Sequence, residues 1–182
     1  MKVKSYKVEL KPEIKKDIKE LTTNNFIKSE LQLDKVCDEL NIDFFDADFD
    51  NPEISGMLIK DKETNKFGIY VNRKHSNVRQ RFTVAHEIGH YLSYKHKSYS
   101  FNELNSEGSI EDYAMSFRKE NLHSNAETEA NLIAAEMLMP EDKIEKMIKE
   151  KLTIEEMADE FFVSEAAMTI RLKTLFPDLM VV

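Results

Sequence analysis

The sequence predicts an α+β fold. Three observations carry that reading: helical patterns near the N-terminus, a run of short β-like segments in the middle, and two longer helical patterns separated by a polar stretch. In chain order, PEIKKDIKELTT opens with Pro12 at a first-turn position. SELQLDKVCDEL follows, with Leu31, Val36 and Leu40 at roughly helical spacing, so residues 12–40 read as helical twice over. The segments IDFF (42–45), SGMLIK (55–60) and KFGIYVN (66–72), separated by polar turns such as DKETN, read as strands of a small antiparallel sheet. A helix is expected from Ser76 to Tyr94, a polar stretch over 97–124, and a second helix from 125 to Met139 that Pro140 stops. The remainder reads as short helices. Residues 1–145 are expected to form the main domain, with 146–182 as a helical segment packed on it.

Composition narrows the function. The chain has 182 residues, 33% charged and 41% hydrophobic, which fits one globular unit with a core of its own. A net charge of −8 argues against direct DNA binding, which needs clustered Lys and Arg. Cys37 is the single cysteine, so an internal disulfide and a thiolate metal site are both excluded. Any metal must then be held by His and carboxylates. The stretch MKVKSYKVELKPEIKKD has no apolar signal core, and no run approaches the ~18 apolar residues of a membrane span. The expectation is a cytoplasmic protein with no membrane partner.

The stretch RFTVAHEIGHYLSYKH (81–96) holds three of the five histidines. At about 100° per residue, Val78, Phe82, Ala85, Gly89 and Leu92 form an apolar stripe, and His86 and His90, at i and i+4, lie in a row on its flank. Two imidazoles then point the same way at the margin of a core. This is the HExxH arrangement, in which both histidines coordinate Zn²⁺ and the intervening glutamate, here Glu87, reaches a water on the metal. Manganese or another divalent ion is also accepted by His and carboxylate ligands.

A catalytic zinc takes three protein ligands and keeps one open position. Two residues compete for the third place. His96 has the spacing of HExxHxxGxxH, but Ser93 stands where that pattern needs a glycine for a sharp turn. On a continuing helix His96 lies about 9 Å along the axis from His90 and on another face. The other residue is Glu127 in ETEANLIAAEMLMP. On a helix it shares one side with Ala130, Asn131, Ala134 and Leu138, while Glu129 and Glu136 project nearly opposite. Ala130, Ala134 and Ala135 are small enough for close packing on the motif helix. Asn131, one turn beyond Glu127, is placed to accept a hydrogen bond from the outer nitrogen of a ligand histidine and fix its tautomer.

RQRFTVAHEIGHYL followed by ETEANLIAAEMLMP resembles the ImmA/IrrE family of metallo-endopeptidases, over roughly residues 55–140. The family pattern is an Arg-Phe-Thr-x-Ala-His-Glu-x-Gly-His helix, then a Glu-x-x-Ala-Asn helix ending in Leu-Met-Pro. The resemblance implies a zincin-like fold, zinc held by His86, His90 and Glu127, and Glu87 as catalytic base. It also implies a cytoplasmic helix-turn-helix repressor as substrate, whose cleavage switches on mobile-element or stress genes. Ile133 stands where the family commonly has phenylalanine, an apolar exchange. His123 and Tyr91 are candidates for the donor that steadies a developing oxyanion, and an edge strand of the sheet is a candidate to hold the substrate as an added strand.

The segment LTIEEMADEFFVSEAAMTIRLKTLF carries a rival reading as a helix-turn-helix regulator, or a non-catalytic protein that keeps a metal. Thr153 with Glu156 forms a capping box, and Ser164 is a good N-cap for a second helix. Its charges oppose DNA: Glu155, Glu156, Asp159, Glu160 and Glu165 face only Arg171 and Lys173. The alternative role is a helical cap, using Met157, Phe161, Val163, Ile170 and Leu172.

Overall fold

The computed structural model describes residues 9–97, 103–104 and 125–180. Helix α1 (Pro12–Thr23) starts with proline at a first-turn position, where a missing N–H costs nothing, and turns Ile14, Ile18 and Leu21 inward. The second predicted helix is shorter than its sequence pattern. Phe26–Ile27 (β1) and Glu30–Leu31 (β2) form a two-stranded ribbon, with Lys28 at a φ of 56° in its turn. Gln32 N–H then donates to the Asn25 carbonyl at 2.7 Å. Those bonds hold the backbone extended through Leu31, so α2 begins only at Leu33 and runs to Leu40. Asn41, at φ 54°, ends it in the left-handed conformation that asparagine tolerates and leads straight into the sheet.

Strands β3 (Ile42–Ala47), β4 (Gly56–Asp61), β5 (Phe67–Asn72) and β6 (Glu103–Leu104) form a sheet in the order β3-β5-β4-β6. The α+β class is as expected, but the sheet is mixed instead of antiparallel. Only β4 and β5 pair antiparallel, across the DKETN turn; β3 runs parallel to β5, and β6 parallel to β4. The segment 48–55 is long enough to carry the chain past one strand position, which leaves room for β5 to insert between β3 and β4. Run lengths and turn residues hold no information on such an insertion.

The pleat sorts β4 between two cores. Leu58 joins the main core on the helical side of the sheet. Met57 and Ile59 join Phe49 and Ile54 on the other side, beneath the 48–55 segment. Across the helical side lies α3 (Asn77–Lys95), packed chiefly against α4 (Asn125–Leu138). Cys37 is buried at the back of this core, and burial followed by the neighbouring Asp38 and Asp34 charges pushes its thiol up to about 12, which leaves it unreactive.

The C-terminal helices α5 (Glu141–Lys149), α6 (Ile154–Phe161) and α7 (Glu165–Leu175) lead to a 3-10 turn at Pro177–Met180. Thr153 and Glu156 make the reciprocal capping box, and the Ser164 hydroxyl accepts from Ala167 N–H at 3.1 Å. Met157, Ala158, Phe161, Val163, Met168 and Leu172 share the main core with the motif helix. Ile170 does not: it is 66% exposed, because α7 turns Met168, Arg171 and Leu172 inward and leaves it on the opposite side. Arg171 is fully buried. Its Nε donates to the Met139 carbonyl at 3.0 Å, and its two terminal nitrogens lie 3.2 and 3.0 Å from the Glu136 carboxylate. One of the two bases counted in this unit is therefore unavailable to phosphate. Among the described residues, no helix is long and apolar enough to cross a membrane.

Candidate metal centre

The site begins with a close approach of two helices. A Cβ added to Gly89 would stand 2.8 Å from the Ala130 carbonyl oxygen and 2.9 Å from its Cα, so α3 and α4 touch backbone to backbone. Glycine is required there by contact, and Ala130 opposite is itself fully buried. The contact lies one residue before His90 and three after Glu127. Gly89→Ala must push the helices apart or strain them, with an expected loss of about 1–3 kcal/mol. Urea unfolding of the metal-free protein measures it, and a zinc affinity reduced in parallel shows that the same contact sets the spacing of the metal site.

With the helices so placed, three side chains converge. His86 Nε2 lies 3.0 Å from His90 Nε2 and 3.3 Å from Glu127 Oε2, and His90 Nε2 lies 3.2 Å from Glu127 Oε1. The ligand atoms all fall within 4.8 Å of one another. Zinc bonded at about 2.0–2.1 Å to tetrahedral N and O ligands sets those ligands about 3.3 Å apart, close to the separations here, where each imidazole meets a different oxygen of the Glu127 carboxylate. The electrostatics agree. Burial raises the Glu127 carboxyl, but hydrogen bonds from His86 and His90 outweigh it and hold the group well below the usual carboxylate range. Burial likewise opposes charge on His86, and the bond to Glu127 with the charges of Glu87 and Glu127 overcomes it, so its pKa is raised. Both shifts have one geometric cause, a carboxylate held against two imidazoles.

Two neighbours complete the arrangement. The His86 Nδ1 lies 2.9 Å from Asn131 Oδ1, the contact expected from the one-turn spacing on α4; it places the proton on Nδ1 and leaves Nε2 free to coordinate. Glu87 is 6% exposed and points from α3 toward the sheet, where its carboxylate accepts the Leu58 backbone N–H. Burial raises its pKa, against the lowering pull of His86 and His90. A carboxyl so placed, beside the triangle but outside it, is suited to proton transfer. The contact with Leu58 was not foreseeable, because it depends on which edge of β4 faces α3.

His96 stays out of the cluster. It caps the C-terminal end of α3, and its Nε2 meets Asp17 Oδ2 at 2.9 Å, beside Lys95 at 2.7 Å from the same oxygen. Its work is to tie α1 to α3. Glu129 and Glu136, expected nearly opposite Glu127, both have partners. Ser93 Oγ donates to Glu129 Oε1 at 2.9 Å, and Glu136 receives Arg171. Helix α4 is covered on more sides than a single amphipathic stripe allows. Tyr91 packs edge-on against Phe67, with ring centroids 5.0 Å apart, and His123 lies outside the described residues.

A family model for peptidases, Peptidase_M78, described as the IrrE N-terminal-like domain, matches residues 37–173. The chain belongs to this family. The match runs from α2 through α7, so the M78 domain includes both halves of the metal triangle and most of the C-terminal helices. Among solved structures, this M78 chain is similar to a Mycobacterium tuberculosis transcriptional regulator, with a TM-score of 0.55 at 14% identity. The alignment covers 90% of this chain and 47% of that one. The likeness is one of fold, and this chain spans about half the length of the regulator. No curated protein matches it.

Proposed function

We propose that this chain is a zinc-dependent endopeptidase that cuts a cytoplasmic helix-turn-helix repressor, with His86, His90 and Glu127 as metal ligands and Glu87 as general base. The observation that carries the reading is the donor triangle with a buried, non-ligating carboxyl beside it. A divalent ion held there supplies Lewis acidity toward a carbonyl oxygen and lowers the pKa of a coordinated water. Glu87 takes a proton from the attacking water and returns it to the departing amine, and its raised pKa suits it to both transfers. Asn131 keeps His86 in the coordinating tautomer.

The substrate is expected to lie along β4. Ser55 and Asp61 bond backbone to backbone with Asn72 and Lys66, so residues 55, 57, 59 and 61 face β5. Gly56 and Leu58 then turn their backbone groups the other way, toward Glu87. An extended peptide added beside Gly56 and Leu58, short of the Lys60–Asp61 stretch that pairs with β6, lies next to Glu87. The repressor as substrate is supported by the family resemblance, and the likeness of fold to a transcriptional regulator is compatible with it. Incubating the zinc-loaded protein with helix-turn-helix repressors of the same genome, followed by mass spectrometry, tests the proposal. Two complementary fragments of one of them, absent after chelation and restored by zinc, support it; repressors all left intact at every zinc level refute it.

A further inference from the structure

The sheet has a second edge, far from Glu87, that the proposed reaction leaves unused. Strand β3 is the terminal strand beside β5, and no strand pairs with its other side among the described residues. Arg73 N–H bonds the Ala47 carbonyl, which in a parallel pair turns Asp43, Phe45 and Ala47 toward β5 and leaves Phe44 and Asp46 presenting their backbone groups outward. The side chains are unusual for an unused edge. Phe44 and Phe45 are each 46% exposed, on opposite faces of the strand, and Asp43 and Asp46 are exposed beside them. Each face thus offers one aromatic ring and one carboxylate. Nearby Asp48 has Arg73 at 2.7 Å and Lys74 at 4.0 Å, whereas Asp43 and Asp46 form no ion pair among the described residues.

The occupant can be argued from charge. A second copy of this chain is disfavoured: β3 carries Asp43 and Asp46 and no base, so pairing it with itself gathers four carboxylates on two adjacent strands with no opposite charge from either. A strand carrying Lys or Arg together with apolar residues on both faces reverses that sign and covers the two rings. We propose that β3 is a docking edge for an extended basic segment of a partner protein, bound by strand addition. The proposal rests on the reading of the chain as a peptidase acting on a protein, and it makes β3 the place where that substrate is held apart from its scissile bond. Two strand spacings, about 10 Å, separate β3 from β4, so one extended substrate can reach from β3 to the side of β4 that carries the Glu87 contact.

The test uses the full chain carrying Glu87→Gln, which keeps a peptide uncut, and a fluorescein-labelled peptide of repeated Lys-Lys-Val-Val, which sets lysine and valine on each face of a strand. Binding is read by anisotropy for this protein, for an Asp43→Lys/Asp46→Lys form, and for a Glu155→Lys/Asp159→Lys form that makes the same change in net charge on exposed positions of α6. The Kd should rise about tenfold with the β3 changes and no more than about twofold with the α6 changes. A second readout locates the contact. Amide hydrogen exchange at Phe44 and Asp46 slows when the peptide binds, while exchange on β4 does not. Equal losses in the two charge variants, binding unaffected by the β3 changes, or protection on β4 instead would each overturn the docking edge. Repressors all left uncut by the unsubstituted protein would refute the peptidase reading and leave these binding results standing, so the two failures are distinguishable.

Discussion

Glu87→Gln should lower peptide-bond cleavage by roughly 10²–10⁴-fold and leave zinc content and fold in place. The amide has the size and shape of the carboxyl, and its oxygen still accepts the Leu58 N–H, so the contact between α3 and β4 survives. What it lacks is a basic site for a proton. The metal triangle is untouched, because Glu87 contributes no atom to it. Stability of the metal-free protein should hold or rise slightly, since the substitution removes an ionisable group from a position only 6% exposed. Turnover and zinc content measured on the same preparation check this; full turnover in the variant would contradict the assignment of the base.

Glu136→Ala should cost about 2–3 kcal/mol of stability, and Arg171→Met clearly less. The asymmetry follows from burial. Arg171 is 2% exposed and cannot lose its charge, so without Glu136 its guanidinium keeps only the Met139 carbonyl in the interior. Glu136 is 36% exposed and can turn to water when Arg171 is gone, and methionine refills much of the space. Urea midpoints of the two variants decide it, and an Arg171→Met form as unstable as Glu136→Ala would show that the pair is not what joins α7 to α4. Because α4 also carries Glu127, the stronger variant is expected to weaken zinc binding as well.

Much of this was legible in the sequence, for local reasons. Helical period and the i, i+4 spacing set His86 and His90 on one side of α3, and the same arithmetic on α4 put Glu127 and Asn131 one turn apart. Ala130, Ala134 and Ala135 marked a helix able to pack closely on the motif helix, while Gly89 as the contact opposite came only with the structure. What the sequence did not carry was non-local. The parallel neighbours in the sheet depend on which strand the 48–55 segment passes, and the late start of the second helix depends on the pairing of Phe26 with Leu31. Arg171 reads as one of two surface bases in a helix-turn-helix unit until α7 is seen to pack it under the end of α4. Ile170, by the same rotation, reads as core and lies in solvent.

The central claim is the ligand set, and zinc stoichiometry tests it most directly. His86, His90 and Glu127 converge, while His96 bonds Asp17 at the far end of α3. Zinc measured by mass spectrometry of dialysed protein should be near one equivalent in the unsubstituted chain, fall to near zero in Glu127→Ala, and be unchanged in His96→Ala. Zinc kept by Glu127→Ala and lost from His96→Ala would contradict the account and place the third ligand at the end of the motif helix.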